Sequence, residues 1–177
     1  MAKCVIMRGI PGSGKTTETN KIVKISLEQG LTCEVCSADE FFMKDDGKGG
    51  REYQFDGNQI ANAHIDCQQR SMDAMNRKID IVVIDNTCLA AYEAGPYVYY
   101  ADMYGYIVEF VEPSSPQWKL FTEYRSRVNG NIKPDDPIVD KFLAFNVHNV
   151  PRQSLAKMMR KWQPVINIDA VLREYLQ

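Results

Sequence analysis

The residues whose types and spacing most clearly suggest chemistry lie near the start of the chain. Gly9, Gly14, Lys15 and Thr16 fit the pattern G-x-x-x-x-G-K-[ST]. In such a segment the bare backbone lets successive N–H groups surround phosphate oxygens, and the following helix adds the positive end of its dipole. The residues that we predict to bind a nucleoside triphosphate (ATP or another) are Gly9, Gly12, Ser13, Gly14, Lys15, Thr16 and Thr17. The alternative interpretation is a glycine-rich turn that carries an exposed lysine.

Two residues of this segment have separate expected roles. Lys15 is expected to reach the β and γ phosphates of the nucleotide, as a catalytic charge, and the hydroxyl of Thr16 is expected to bind Mg²⁺.

Two aspartates come directly after apolar runs. Asp39 follows the run in "CSADEFF", and Asp85 follows four apolar residues in "IVVIDNT". The carboxyl ends of parallel strands lie at one edge of a sheet, so both carboxylates are expected beside the phosphate loop. Asp85 has the Walker B pattern and is predicted to order Mg²⁺ through Thr16 or water. Asp39 is predicted to be the general base that accepts the proton of a hydroxyl acceptor. The alternative for each aspartate is a helix N-cap.

The elements that must position these residues alternate between strands and helices. Apolar runs occupy 3–8, 31–37, 79–85, 106–111 and 165–168, with longer mixed segments between them. This alternation predicts an α/β fold with a mostly parallel sheet of about five strands and helices on both of its faces. Residues 43–57 and 129–137 are rich in charge, glycine and proline without periodicity, so we predict two mobile loops.

Length and charge narrow the classes of protein that fit. The 177 residues predict one domain, 1–177, and the formal net charge of −2 does not fit a bulk nucleic-acid coater. Residues 115–165 carry nine Lys or Arg against four acidic residues, a local balance of +5, which would suit phosphate binding or a solvated helix face. The chain shows neither a signal peptide nor a membrane-spanning run, so a cytoplasmic protein that does not insert in a membrane is expected.

An ordered set of segments resembles the small P-loop kinases grouped with polynucleotide 5′-hydroxyl kinases and, more remotely, zeta toxins. The segments are "MRGIPGSGKTT", "SADEFF", "YQFDGNQIANAH", "VIDNT", "YEAGPYVYYADMYGY" and "VEP". The resemblance implies a kinase-type P-loop NTPase fold, a three-layer sandwich, with ATP-dependent transfer to a hydroxyl that is often on nucleic acid. It also implies a lid around 125–137, in which Arg125 or Arg127 is the catalytic lid arginine, before a basic helical part at 138–177.

The chain departs from the phage polynucleotide kinases at one position. Those enzymes have an arginine three residues after the base aspartate, where it grips the acceptor phosphate, and Phe42 stands there in this chain. The cations of the 43–57 segment that could substitute are Lys44, Lys48 and Arg51.

Four further residues receive expectations from their spacing. His64 shares a helical stripe with Ile60 and Cys67, which predicts a buried, hydrogen-bonded histidine, with a substrate contact as the alternative. Arg70 lies off that stripe and is predicted to be a surface charge. Trp118 and Trp162 are predicted to pack in the core.

Three classes of function remain open at this stage. The first is a kinase that phosphorylates a nucleic-acid hydroxyl, at a 5′ end or on a hydroxymethylated DNA base. The second is a kinase for a small molecule such as a nucleoside or nucleotide sugar. The third is a nucleotide-binding switch, which the absence of an N-K-x-D motif and the presence of Asp39 disfavour.

Overall fold

The computed structural model describes residues 1–147, 149–164 and 167–176, and its centre is a parallel sheet. In the described residues this sheet has four strands, β1 (Lys3–Met7), β2 (Cys33–Cys36), β5 (Ile81–Ile84) and β6 (Ile107–Val111). Their order across the sheet is β2-β5-β1-β6, and every pair is parallel. The carboxyl ends of all four strands therefore lie at one edge.

A separate antiparallel hairpin lies between β2 and the second helix. It is made of β3 (Met43–Asp45) and β4 (Arg51–Tyr53), with Met43 opposite Tyr53. The prediction of a mobile loop at 43–57 was therefore wrong. Strands of three residues with mixed charges are too short to show a period, and backbone pairing defines them instead.

Seven helices surround the sheet within the described part of the chain. They are α1 (Lys15–Glu28), α2 (Ile60–Asn76), α3 (Ala91–Tyr104), α4 (Pro116–Arg127), α5 (Pro137–Leu143), α6 (Arg152–Lys161) and α7 (Ile168–Tyr175). None of the described helices is long and apolar enough to cross a membrane.

The two faces of β1 pack against different helices. Val5 and Met7 belong to a cluster that includes Ile22 of α1, whereas Cys4 and Ile6 belong to a larger cluster with residues of α2, α3 and α7. Because strand side chains alternate between faces, this division places one helical layer on each side. The three-layer α/β arrangement with a parallel sheet is confirmed.

The fifth predicted strand has a different outcome. Val165 and Ile166 lie outside the described residues, Asn167 caps α7, and Ile168 is already its first helical residue.

A second apolar core lies beyond β6. Trp118 of α4, Phe142 of α5, Leu155 of α6 and Trp162 are all buried in it, and so is Ile10 of the glycine-rich loop. The prediction that both tryptophans pack in the core is confirmed. This core joins helices α4 to α6 to the loop that precedes α1.

Candidate active site

The glycine-rich loop connects β1 to α1 and has no room for a Cβ at Gly12. Gly12 has φ +78°, and a Cβ there would lie 2.6 Å from the carbonyl oxygen of Phe142. Gly14 has φ +94° and precedes α1 without a side-chain capping bond, which leaves the first N–H groups of the helix for another acceptor. The N–H of Gly9 donates to the carbonyl of Thr87 at 2.9 Å, which ties the loop to the segment after β5. The bare backbone therefore has the form that phosphate binding requires.

The side chains of the loop differ in exposure. Thr16 and Thr17 are exposed at the start of α1, whereas Ser13 is buried and its hydroxyl has no hydrogen-bond partner among the described residues. The backbone carbonyl of Ser13 accepts a bond from the hydroxyl of Ser115 at 2.7 Å.

Lys15 lies within electrostatic reach of both aspartates. Burial lowers the pKa of its ammonium group, and the negative charges of Asp85 and then of Asp39 act in the opposite direction. The structure thus brings together the lysine and the two carboxylates that the sequence placed at separate strand ends. Lys15 is half-buried and lies near two carboxylates. The negative charge of phosphates can therefore bind there only if a metal ion or other cations of the protein compensate it.

Asp85 and Thr16 have the donor chemistry that Mg²⁺ prefers. Asp85 is half-buried, its N–H donates to the carbonyl of Cys36 at 2.9 Å, and α3 is capped by Ala90, so the N-cap alternative for Asp85 was wrong. The described residues contain no group of three or more His, Cys, Asp or Glu that could hold a metal ion. Mg²⁺ sites built from one carboxylate, a hydroxyl and substrate phosphates need no such cluster, so the residues present fit this ion.

Asp39 lies in a short 3-10 turn, Ala38–Phe42, and its carboxylate is exposed. Ser37 is the N-cap of this turn, so the N-cap alternative for Asp39 was also wrong. The hydroxyl of Tyr53 in β4 donates to Oδ1 of Asp39 at 3.1 Å. The hairpin is therefore in direct contact with the predicted general base.

Two residues that sequence reasoning missed hold the backbone of this turn. Asn86 is buried, and its Oδ1 accepts the N–H of Ala38 at 2.9 Å. Arg70 donates to the carbonyl of Ser37 at 2.7 Å and pairs with Asp66 at 2.8 Å. The prediction of a surface charge at Arg70 was wrong, because its side chain is long enough to reach the turn from beside the buried stripe of α2. The available signal for Asn86 in the sequence was its position directly after Asp85, the aspartate at the end of the strand.

His64 does not lie where its spacing suggested. Its side chain is exposed, whereas Ala63, Cys67 and Ala74 form the buried stripe of α2. The prediction of a buried histidine was wrong, because the buried stripe passes through the residue before it.

Arg8, which was also missed, links four segments behind the loop. Only 2% of Arg8 is exposed, and it pairs with Glu112 at 2.8 Å. It also donates to the carbonyls of Cys88 at 3.2 Å and Gln163 at 2.5 Å, and its guanidinium lies 5.6 Å from the ring centroid of Trp162. Burial lowers the pKa of Arg8 and raises that of Glu112, while each charge opposes the effect on the other. A charge at the end of a buried strand, just before Gly9, was the signal in the sequence.

The predicted lid arginines contact other parts of the chain. Arg125 donates to the carbonyls of Met159 and Arg160 at 3.3 Å each, and its guanidinium lies over the ring of Trp162. Arg127 is exposed, and its guanidinium lies over the ring of Tyr124. None of these contacts involves the glycine-rich loop.

The segment 129–137 is tied to α6. Ile132 is fully buried, its carbonyl accepts a bond from Arg160 at 2.5 Å, and the carbonyl of Pro134 accepts one from Arg152 at 3.1 Å. These contacts do not support the interpretation of 129–137 as a loop that moves independently of the helices.

Several cations of the basic part have partners within the chain. Arg152 pairs with Asp140, and Lys161 pairs with Glu93 at 2.7 Å. The local excess of positive charge is therefore partly used in holding α5 and α6 to the rest of the fold.

This topology, with its glycine-rich loop, lysine and strand-end carboxylates, defines a P-loop domain of the kinase-like class. Residues 4–165 match the AAA_33 family, described as an AAA domain, and the chain belongs to that family.

Similar proteins share the sequence or the fold to different extents. The human protein NEDD4-binding protein 2 is 28% identical over 168 residues, which are 95% of this chain but 8% of that protein. A protein from Chloroflexus aurantiacus, described provisionally as a kinase, superposes with TM-score 0.51 at 13% identity over 99% of both chains. A chain of the Pnkp1/Rnl/Hen1 RNA repair complex superposes with TM-score 0.50 at 14% identity, over 88% of this chain and 45% of that one. These two structural similarities show a shared fold only.

Proposed function

We propose that this domain transfers the γ-phosphoryl group of ATP, or another nucleoside triphosphate, to a hydroxyl group. The single observation that carries the proposal is that Asp85 and Asp39 lie within electrostatic reach of Lys15, beside a glycine-rich loop that has no room for a Cβ at Gly12. A binding switch needs the loop and a metal carboxylate but has no use for a second, exposed carboxylate at the same edge.

Each residue then has one task. The loop amides and Lys15 hold the phosphates and neutralise charge that develops on the β-γ bridging oxygen. Asp39 accepts the proton of the acceptor hydroxyl while that oxygen bonds to the γ-phosphorus, the bond to the bridging oxygen breaks, and the nucleoside diphosphate leaves. Thr16 and Asp85 would hold Mg²⁺, which would supply positive charge to offset that of the phosphates.

A lid arginine would add charge to the γ-phosphoryl group. Of the two candidates in the proposed lid, Arg127 is the better placed, because it is exposed and can leave the ring of Tyr124 at little cost. Arg125 would have to give up two carbonyls and the face of Trp162.

The acceptor that we favour is a hydroxyl on nucleic acid, at a 5′ end or on a hydroxymethylated base. The ordered segments that resemble polynucleotide kinases support this choice. The second candidate is a small-molecule kinase acting on a nucleoside or nucleotide sugar. The observation that favours it is the burial of Phe42, 4% exposed, where those kinases have a phosphate-gripping arginine.

The test is transfer from γ-labelled ATP to a panel of acceptors. The panel contains 5′-hydroxyl DNA, 5′-hydroxyl RNA, a duplex with hydroxymethylated bases, and free nucleosides, each with the wild type and with Lys15→Ala. We expect label on an oligonucleotide with the wild type alone. Label on nucleosides alone would favour the second candidate, and the absence of label on every acceptor would contradict the kinase proposal.

A further inference from the structure

A cluster of three aromatic rings lies next to the predicted base. The ring centroids of Phe42 and Phe55 are 5.1 Å apart, and those of Phe42 and Tyr53 are 6.0 Å apart. Tyr53 and Phe55 lie nearly parallel, with 16° between their planes and 6.5 Å between their centroids. Phe42 is buried beneath the other two, whereas 59% of Phe55 is exposed. The cluster therefore presents an aromatic surface to solvent.

This surface is held in place by the hairpin. The N–H of Gln54 donates to the carbonyl of Phe42 at 2.8 Å, and Met43 pairs with Tyr53 across the two strands. Arg51 forms an ion pair with Glu40 and donates to the carbonyl of Met43 at 3.2 Å. An exposed ring on a fixed support loses little freedom when a ligand stacks on it, so it is well suited to binding.

The aromatic surface also lies next to the proposed general base, Asp39. The hydroxyl of Tyr53 donates to Asp39 at 3.1 Å, and the ring centroid of Tyr53 lies 6.5 Å from that of Phe55, so Tyr53 lies next to both the carboxylate and the exposed ring. Two of the three candidate cations have other contacts, since Arg51 is paired with Glu40 and the amine of Lys44 lies 5.0 Å from the ring centroid of Phe41. The acceptor side of the site is therefore aromatic at the point where a phosphate contact was expected.

We propose that Tyr53 and Phe55 form an aromatic shelf that stacks on the nucleobase of the terminal acceptor nucleotide and so brings its 5′-hydroxyl to Asp39. This inference rests on the proposed function and specifies which part of the acceptor is recognised. A flat π surface binds every base, so the shelf selects for the presence of a base and only weakly for its identity. Simple sugars and lipid alcohols have no flat π system to stack on it, so the shelf favours acceptors that carry a base.

The experiment compares two oligonucleotides that differ only in whether the 5′-terminal nucleotide carries a base or is abasic. Removing one stacking partner typically weakens binding about 5-fold to 100-fold. For the wild type we expect the abasic acceptor to have a KM at least about 10-fold higher, with a smaller change in kcat. Phe55→Ala should raise the KM of the intact acceptor to near the abasic value and leave the abasic KM almost unchanged. Phe55→Trp should restore the difference.

The matched control is Met103→Ala on α3, which also removes an exposed apolar side chain, 60% exposed, from a position away from the hairpin. It should keep the wild-type ratio of the two KM values. Equal KM values for the two acceptors with the wild type, or an equal loss on both acceptors with Phe55→Ala, would overturn the shelf.

Equilibrium binding of the same two oligonucleotides, with a non-hydrolysable ATP analogue present, separates this inference from the proposed function. A preference for the intact oligonucleotide that Phe55→Ala abolishes would support the shelf even if no transfer occurs, and the absence of transfer alone would count against the kinase. Equal dissociation constants would overturn the shelf even in an active kinase, and would leave the exposed rings as a surface for another partner.

Discussion

The buried arginine behind the phosphate loop allows the most quantitative prediction. Arg8→Met replaces a 2% exposed cation by an apolar side chain that fits the same space, and it leaves the carboxylate of Glu112 without its ion-pair partner. The carbonyls of Cys88 and Gln163 each lose a donor as well. Removing one partner of a buried ion pair typically costs about 3–5 kcal/mol.

The expected cost for this pair lies at the lower end of that range. The side chain of Glu112 is 32% exposed, so water can partly replace the lost contact. We therefore expect a loss of about 3 kcal/mol in the free energy of unfolding, or a fall in Tm of roughly 6–12 °C for a domain of this size. Urea and thermal unfolding followed by far-ultraviolet circular dichroism measure both quantities.

The sign of the pH dependence provides a second test of the same variant. Burial raises the pKa of Glu112, and the charge of Arg8 opposes that rise. Without Arg8 the pKa in the folded state rises further above the unfolded value, so the folded variant binds a proton more readily. The variant should therefore be closest to the wild type at low pH and lose stability relative to it as the pH rises through the folded pKa of Glu112.

The matched control is Lys3→Met, which breaks the exposed pair between Lys3 and Glu109 on the same sheet. Both side chains of that pair are more than 40% exposed, so the loss should stay below about 1 kcal/mol. A loss for Arg8→Met as small as that of Lys3→Met, or an effect that does not change with pH, would refute the reasoning.

The remaining predictions concern the phosphate loop and the two carboxylates. Lys15→Ala should lower the transfer rate by about 10²-fold or more while circular dichroism shows a folded domain, and unchanged turnover would contradict its role. Asp39→Asn should bind ATP and Mg²⁺ normally but transfer slowly, whereas Asp85→Asn should raise the Mg²⁺ concentration needed for half the maximal rate; the reverse outcome in a Mg²⁺ titration would exchange their roles. Gly12→Ala should destabilise the domain by about 2–4 kcal/mol through a positive φ and a clash with a carbonyl. Gly47→Ala is the control: Gly47 has φ +70° and open space around it, so this variant should show only the cost of the positive φ, without a clash.

The phosphate loop and the two aspartates could be predicted because their positions follow from local rules. One short segment that ends with Lys15 and Thr16 contains the sequence signals of a strand, a glycine-rich turn and the start of a helix. Asp39 and Asp85 each follow an apolar run, and parallel strands bring such positions to a common edge without any knowledge of side-chain packing.

The features that the sequence did not reveal depend on contacts between distant segments. Arg70 reaches the turn before Asp39 from a helix 33 residues away, which its position relative to the helical stripe does not reveal. The β3-β4 hairpin exists because Phe42 and Phe55 pack together and because backbone bonds pair its charged strands. Arg125 contacts α6, an element whose position cannot be read from local sequence.

The order of the strands determines which segments lie next to Asp85. β5 lies between β2 and β1, so Asp85 has the turn of Asp39 on one side and the phosphate loop on the other. The sheet itself therefore fixes the relative positions of the glycine-rich loop, Asp85 and the turn of Asp39. The hairpin that precedes Phe55 is inserted between β2 and α2 and pairs with none of the sheet strands in the described part of the chain. The bond from Tyr53 to Asp39, the ion pair between Arg51 and Glu40, and the bond from the N–H of Gln54 to the carbonyl of Phe42 join this segment to the turn that carries Asp39. From the proposed function and the proposed shelf, we expect that exchanging residues 43–55 alters acceptor choice while the dependence of the reaction on ATP is retained.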